Sequence, residues 1–196
     1  MKVAIINYNA GNVQSVLFAL ERIGIAAELT SDQERIRAAD KVIFPGVGEA
    51  KNTMEYLRHT KLDDLIRQLK QPTLGICLGM QLLCNHSEEG NTTCLGIIPL
   101  KVKKFSTSDP TKKIPHIGWN TFEFTPHPLF EKNQVGDHAY FVHSYYVEKG
   151  EETIATGDYI LPFSAALQKD NFYATQFHPE KSGIVGENIL NQFITL

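Results

Sequence analysis

Leu74-Gly75-Ile76-Cys77-Leu78-Gly79-Met80-Gln81 decides how this chain is read, because an apolar strand-like run meets a helix-like run here with a thiol at the junction. Glycines stand two residues before and two residues after Cys77. A nucleophile on a sharp strand-to-helix turn needs small neighbours at those places, since adjacent backbone passes close to it. Such a turn exposes the sulfur, lets the helix N-terminus favour the thiolate, and offers the N–H of Leu78 to a developing oxyanion. A buried structural cysteine beside a glycine-rich turn fits this stretch as well, so the pattern needs support from elsewhere in the chain.

Working outward, the same alternation repeats. Lys2 to Asn7 reads as a short apolar strand, and Asn12 to Ile23 as a helix with Val13, Val16, Leu17 and Leu20 at helical spacing and Gly24 as its stop. Ile25 to Thr30 follows as a strand, Ser31-Asp32 as the cap of a short helix, and Lys41 to Phe44 as a third strand running into Pro45-Gly46-Val47-Gly48. A helix pair comes next, its second member predicted over Lys61 to Lys70 with Thr60 as cap and Pro72 beyond its end. Thr73 to Cys77 and Leu78 to Asn85 complete the series, and this order predicts an α/β fold, an open and mostly parallel sheet with helices on both faces. From Ile97 the runs become closely spaced and β-rich: Leu100 to Phe105, Thr121 to Phe124, Tyr140 to Val147, and a hairpin around Lys169-Asp170-Asn171. The sheet is therefore expected to be mixed. Ile184, Val185, Ile189, Leu190 and Phe193 predict a closing helix over Gly183 to Thr195, and no repeat or linker divides residues 1–196, so one domain is expected.

Composition narrows the function. A chain of 196 residues, 42% hydrophobic and 21% charged, is long enough to bury a core, which excludes disorder. Its formal net charge of -3 offers no basic excess for a phosphate backbone, so nucleic acid is not an expected partner. Val3 to Ile6 is too short for a signal peptide core, and no stretch reaches the roughly 18 apolar residues of a membrane span, so a cytoplasmic protein is expected. Cys77, Cys84 and Cys94 are odd in number and lack metal-ligand spacing, which leaves no metal and no cofactor in view. Cys84, a heptad after Cys77, suits a structural role, and Cys94 lies in a polar loop.

A cysteine nucleophile needs a base and a group that orients the base, and Gln176-Phe177-His178-Pro179-Glu180-Lys181-Ser182 can supply both. If a strand ends at His178, Pro179 stops the pairing and Glu180 reaches back to the imidazole, fixing its tautomer while His178 takes the thiol proton and later hands it to a leaving amine. A lone His-Pro-Glu is also an ordinary surface turn; its coincidence with the Cys77 elbow is what favours catalysis. Pro45-Gly46-Val47-Gly48 lies at the carboxyl edge of the sheet, where open α/β folds place ligands, and its two glycines permit a peptide N–H to face the site.

Together these motifs resemble the class I, or triad, glutamine amidotransferases, which carry a Gly-x-Cys-x-Gly elbow and a distant His-Pro-Glu. Within them the chain is similar to the glutaminase subunits of imidazole glycerol phosphate synthase. That closer resemblance rests on Asn7-Tyr8-Asn9-Ala10-Gly11-Asn12, Pro45-Gly46-Val47-Gly48, Ser87-Glu88-Glu89-Gly90, Pro115-His116-Ile117-Gly118-Trp119-Asn120 and Phe141-Val142-His143-Ser144-Tyr145. It departs from the pattern at Glu49-Ala50-Lys51, where members of the family commonly carry small and aromatic residues. The resemblance implies a flavodoxin-like open sheet and hydrolysis of glutamine to glutamate and ammonia through a thioester on Cys77, with His178 and Glu180 completing the triad. It implies Val47, Gly48 and Leu78 as oxyanion residues, and Gln81, Glu88, His143, Ser144 and Tyr145 around the glutamine. It also implies a separate (β/α)8-barrel cyclase as partner in a heterodimer of histidine biosynthesis, taking the ammonia, with Asn12, Trp119, Asn120 and Lys181 at the contact. Other readings are an amidotransferase serving a different synthase, a binding module with a silent triad, and a stand-alone cysteine hydrolase of γ-glutamyl substrates.

Overall fold

The computed structural model describes residues 1–8 and 13–196. In chain order the first half runs β1 (Val3–Ile6), α1 (Gln14–Arg22), β2 (Ala27–Thr30), α2 (Gln33–Arg37), β3 (Lys41–Phe44), α3 (Ala50–His59), α4 (Leu62–Gln68), β4 (Thr73–Ile76) and α5 (Leu78–Leu83). The second half runs β5 (His86–Ser87), β6 (Thr92–Thr93), β7 (Lys101–Lys104), β8 (His116–Phe124), β9 (His138–His143), β10 (Tyr145–Val147), β11 (Thr153–Asp158), β12 (Pro162–Lys169), β13 (Phe172–Thr175) and α6 (Gly183–Thr195). Nine strands form one sheet in the order β2-β1-β3-β4-β13-β12-β11-β8-β9, and β10-β7-β5-β6 form a second.

Strands β1, β3 and β4 are buried along their whole length, as parallel strands covered on both faces must be. Alternation then divides them. Ala4, Ile6, Val42 and Phe44 pack with Met54 and Leu57 of α3 and with Leu65 and Ile66 of α4, while Val3, Ile5, Ile43, Leu74 and Ile76 pack with Val16 and Leu20 of α1 and Ile189 and Phe193 of α6. Helices thus cover both faces. Each such side chain, fully buried, contributes about 1.5–3 kcal/mol of transfer free energy, so the two layers hold the strand ends in place.

The sheet is mixed in equal measure rather than mostly parallel: four of its eight ladders are parallel and four antiparallel. The expected Tyr140 to Val147 run is split, because His143 pairs with His116 in β8 whereas Tyr145 pairs with Lys104 in β7. Between them the Ser144 carbonyl accepts from the Phe105 N–H at 3.0 Å, so the chain steps from one sheet to the other at Ser144. Thr60 does not cap α4. Its hydroxyl donates to the Tyr56 carbonyl at 2.9 Å and closes α3, while Lys61, at φ 60°, precedes α4. The unexpected Glu49 has a local task, since its carboxylate caps α3 by accepting from Asn52 N–H at 3.2 Å. Among the described residues no helix is long and apolar enough to cross a membrane.

Topology sets the site. β13 lies beside β4 in parallel although about a hundred residues separate them, so the carboxyl ends of β3, β4 and β13 are neighbours. Open α/β sheets bind ligands at such ends.

Candidate active site

Cys77 stands between β4 and α5 at φ 51° and ψ -108°, a backbone conformation that residues with a Cβ rarely adopt. Two bonds hold it there: its N–H donates to the Thr175 carbonyl at 2.7 Å, and its carbonyl accepts from Gln81 N–H at 3.2 Å. The glycines make room for the turn. A Cβ on Gly79 would collide with the Phe44 carbonyl, and one on Gly46 with the backbone nitrogens of Leu78 and Gly79, so β3's loop and the elbow touch backbone to backbone.

Beyond β13, His178 is buried, and its Nδ1 lies 2.7 Å from Oε1 of Glu180, which is buried too. Pro179 begins a single turn of tight helix, Pro179–Lys181, and that turn folds the carboxylate back onto the ring. His178 and the Cys77 sulfur line one cavity, and each bears on the other's charge. Burial alone would push the imidazole pKa down; the Cys77 sulfur, then the Glu180 carboxylate, more than reverse this and hold it raised at about 10. The ring is thus set to accept a proton from the thiol. Cys84 and Cys94 are different: burial pushes both thiols up, Cys94 to about 12, which keeps them protonated and inert.

A cavity of about 350 Å³ opens on the sulfur, within the range of small-molecule sites. Its walls are Gly46, Val47 and Gly48 after β3, Cys77, Leu78 and Gln81 at the elbow, Pro115, Val142, His143, Ser144 and Tyr145 across from it, and His178 and Glu89. The structure therefore brings together Cys77, His178, Gln81, Val47, Gly48, Leu78 and the 143–145 segment. Glu88 is not among the walls, because its carboxylate accepts from Lys104 N–H at 2.7 Å; Glu89, one residue on, faces the cavity instead. Sequence adjacency alone could not choose between the two. Tyr8 was also missed: its buried hydroxyl donates to the Pro45 carbonyl at 2.5 Å, which ties the phenol to the loop that carries Val47.

His143 and His116 form a buried neutral pair. His143 Nδ1 donates to the Tyr145 carbonyl at 2.7 Å, so its Nε2 must accept from His116 Nδ1, 3.1 Å away. Burial pulls His143 down to about 3 and His116 to about 4. Both rings stay neutral in the fold but take protons in the unfolded chain below about pH 6.5. Stability is therefore lost on acidification from about 6.5, by roughly 2 kcal/mol per ring at pH 5. His178, with its raised value, has the opposite sign: its contribution is complete below about 6.5 and is lost as pH rises toward 10. Thermal melts across this range should peak near pH 6.5, and a flat profile between pH 5 and 8 would contradict the assignment.

Of the proposed contact residues, Asn12 lies outside the described residues. Trp119 is 58% exposed on β8 beside Ile117, 60% exposed. Tyr140 links the others: Trp119 meets its ring edge-on, and Lys181 Nζ stands 5.9 Å over its centre. Asn120 donates to the Asp158 carbonyl at 2.8 Å and reaches His116 Nε2 at 3.4 Å.

Residues 4–196 match the family described as glutamine amidotransferase class-I, and the chain belongs to it. More particularly, it is 58% identical over 196 residues, the whole of both chains, to the imidazole glycerol phosphate synthase subunit HisH of Bacteroides fragilis. It is 45% identical to the subunit of the same name from Idiomarina loihiensis, over all of this chain and 98% of that one. Among solved structures, a glutamine amidotransferase superposes with a TM-score of 0.73 at 18% identity, over 98% of this chain and 97% of that chain. A glutamine amidotransferase of Thermotoga maritima gives 0.66 at 14% identity, over 100% and 83%. At that identity the likeness concerns the fold.

Proposed function

We propose that this chain is the glutaminase subunit of an imidazole glycerol phosphate synthase, a single cytoplasmic domain whose Cys77, His178 and Glu180 release ammonia for a (β/α)8-barrel cyclase bound as the other half of a heterodimer. The observation that carries the reading is the meeting of a strained thiol, a buried base and its carboxylate at one cavity. Cys77 sulfur attacks the carboxamide carbon of glutamine as His178 takes the thiol proton, and Leu78 N–H steadies the oxyanion. The C–N bond then breaks, and His178 gives its proton to the departing nitrogen, which leaves as ammonia. Water, deprotonated by the same ring, attacks the thioester; the C–S bond breaks, glutamate leaves and the thiol is restored. Gln81, Glu89 and the 143–145 backbone hold the substrate.

The exposed Trp119 and Lys181, with the half-buried Asn120, form the face for the cyclase; Asn12 is assigned to the same contact from the sequence alone. Contact there has a task beyond docking: the loop that carries Val47 is tied to Tyr8 at its Pro45 carbonyl, and its two glycines let the Val47 peptide turn to give the oxyanion a second donor. One missing donor costs about 10²–10³ in rate. The purified chain alone is accordingly a weak glutaminase, the cyclase raises its turnover, and cyclase holding its own phosphoribosyl-type substrate raises it most. Glutamine hydrolysis measured in those three conditions checks the reading, and equal rates in all three would replace it with a stand-alone hydrolase.

A further inference from the structure

Gln176 is fully buried at the end of β13, behind the sulfur and outside the cavity walls. Its Nε2 lies 3.7 Å from Cys77 Sγ, within reach of an N–H···S bond, and its Oε1 lies 3.0 Å from Gln81 Nε2. We propose that Gln176 is a further residue of the reaction, a neutral N–H donor that holds negative charge on the Cys77 sulfur and is kept in that orientation by Gln81. The inference rests on Cys77 being the nucleophile.

An amide can be turned either way round, so the orientation has to be fixed by its partners. Here they fix it. Gln81 Nε2 lies 3.0 Å from the Tyr145 carbonyl, which can only accept; a reversed Gln81 would set oxygen against oxygen. Gln81 therefore presents its second N–H to Gln176, whose oxygen must face it, and the Gln176 NH₂ is left facing the sulfur. The Tyr145 carbonyl is itself held by His143, His143 by His116, and His116 by Asn120 on the surface of β8. The orientation is thus anchored at several bonds' distance from the chemistry.

The surroundings give this donor weight. The titratable groups nearest the sulfur are His178, with Glu180 behind it, and Tyr8, while His143 and Glu89 stand elsewhere on the cavity walls. No Lys or Arg lines the cavity among the described residues. The Val142 carbonyl, 3.9 Å from the sulfur, can only accept and so offers no donor to it. Among the wall residues described, His178 carries the sole positive charge once it has taken the proton, and the Gln176 N–H is a second partner for the sulfur at the two moments it is anionic, as it attacks glutamine and as it leaves the thioester.

Two substitutions separate this role from packing. Gln176→Glu keeps the oxygen that Gln81 needs but sets a carboxylate at the sulfur; the carboxyl, the stronger acid, keeps the negative charge and leaves the sulfur its proton. Gln176→Met removes the donor with little change of volume. The full-length chain is treated with iodoacetamide, a small neutral electrophile whose iodide leaves as the S–C bond forms, and labelling of Cys77 is followed by mass. At neutral pH the Met variant should label about 10-fold more slowly than wild type and the Glu variant about 10²-fold more slowly, with the deficit recovered in alkaline solution. With the cyclase present, kcat for glutamine should fall in parallel in the Glu variant while KM stays close to wild type, since Gln81 keeps its partner. A residue that only filled space would leave labelling unchanged in any variant whose melting curve shows it folded. Equal labelling of wild type and either folded variant overturns the proposal, whereas failure of wild-type Cys77 to label overturns the assignment of the nucleophile itself.

Discussion

Cys77→Ser should abolish glutamine hydrolysis, by about 10³-fold or more, while synthesis by the cyclase partner from added ammonia proceeds undiminished. A hydroxyl has to lose a far less acidic proton than a thiol, and His178 cannot bridge that difference. The fold has no reason to suffer: serine is smaller than cysteine by part of one atom, and the N–H and carbonyl that lock residue 77 to Thr175 and Gln81 belong to the backbone. The two assays on one preparation separate chemistry from assembly. Loss of the ammonia-dependent reaction would mean that the substitution had broken the complex, and retention of more than a small fraction of glutaminase activity would remove Cys77 from its role. A glutamine-like electrophile should label Cys77 ahead of Cys84 and Cys94, whose buried thiols are held protonated.

The second large effect concerns the base and its carboxylate. His178→Asn removes the group that both takes and returns the proton, so a loss of about 10⁴-fold is expected. Glu180→Gln should cost only about 10²-fold, because a carboxamide oxygen can still accept from Nδ1 at the Oε1 position, and what is lost is the stabilisation of the imidazolium. Oε2 has no hydrogen-bond partner among the described residues, so the carboxylate is held mainly by the ring it serves. Single-turnover rates of the two variants at saturating glutamine check the ranking. If Glu180→Gln matched wild type while another acid proved essential, the third member would lie elsewhere.

How much of this was legible in the sequence follows from where each signal resides. The elbow was legible because sterics act locally: Gly79 is demanded by the Phe44 carbonyl above it, and the demand shows as a residue type at a fixed offset from Cys77. His178 and Glu180 were legible for the same reason, the turn at Pro179 being short. The strands β1, β3 and β4 announce themselves by unbroken burial. What escaped was set by long-range pairing. The four-stranded sheet is built partly from two-residue strands, too short to carry a period. The break at Ser144 depends on β7 and β8 competing for one segment. Glu89 rather than Glu88 faces the cavity because Lys104, brought in by β7, takes Glu88. Gln176 and Tyr8 lay inside quoted motifs, but only the packed structure shows what their polar ends touch.

The backbone angles of Cys77 also bear on how such a chain could be made to endure heat. Holding a residue with a Cβ at φ 51° and ψ -108° costs about 1–3 kcal/mol, against a net stability that for most domains is only about 5–15 kcal/mol. Glycine would adopt the same angles without that penalty. A breeder of variants who screened for thermal endurance alone, with no assay for turnover, would be rewarded for discarding the proposed nucleophile. On the proposed function the hardiest sequence on this backbone would be an idle one, and the demand for turnover would be what keeps residue 77 under tension.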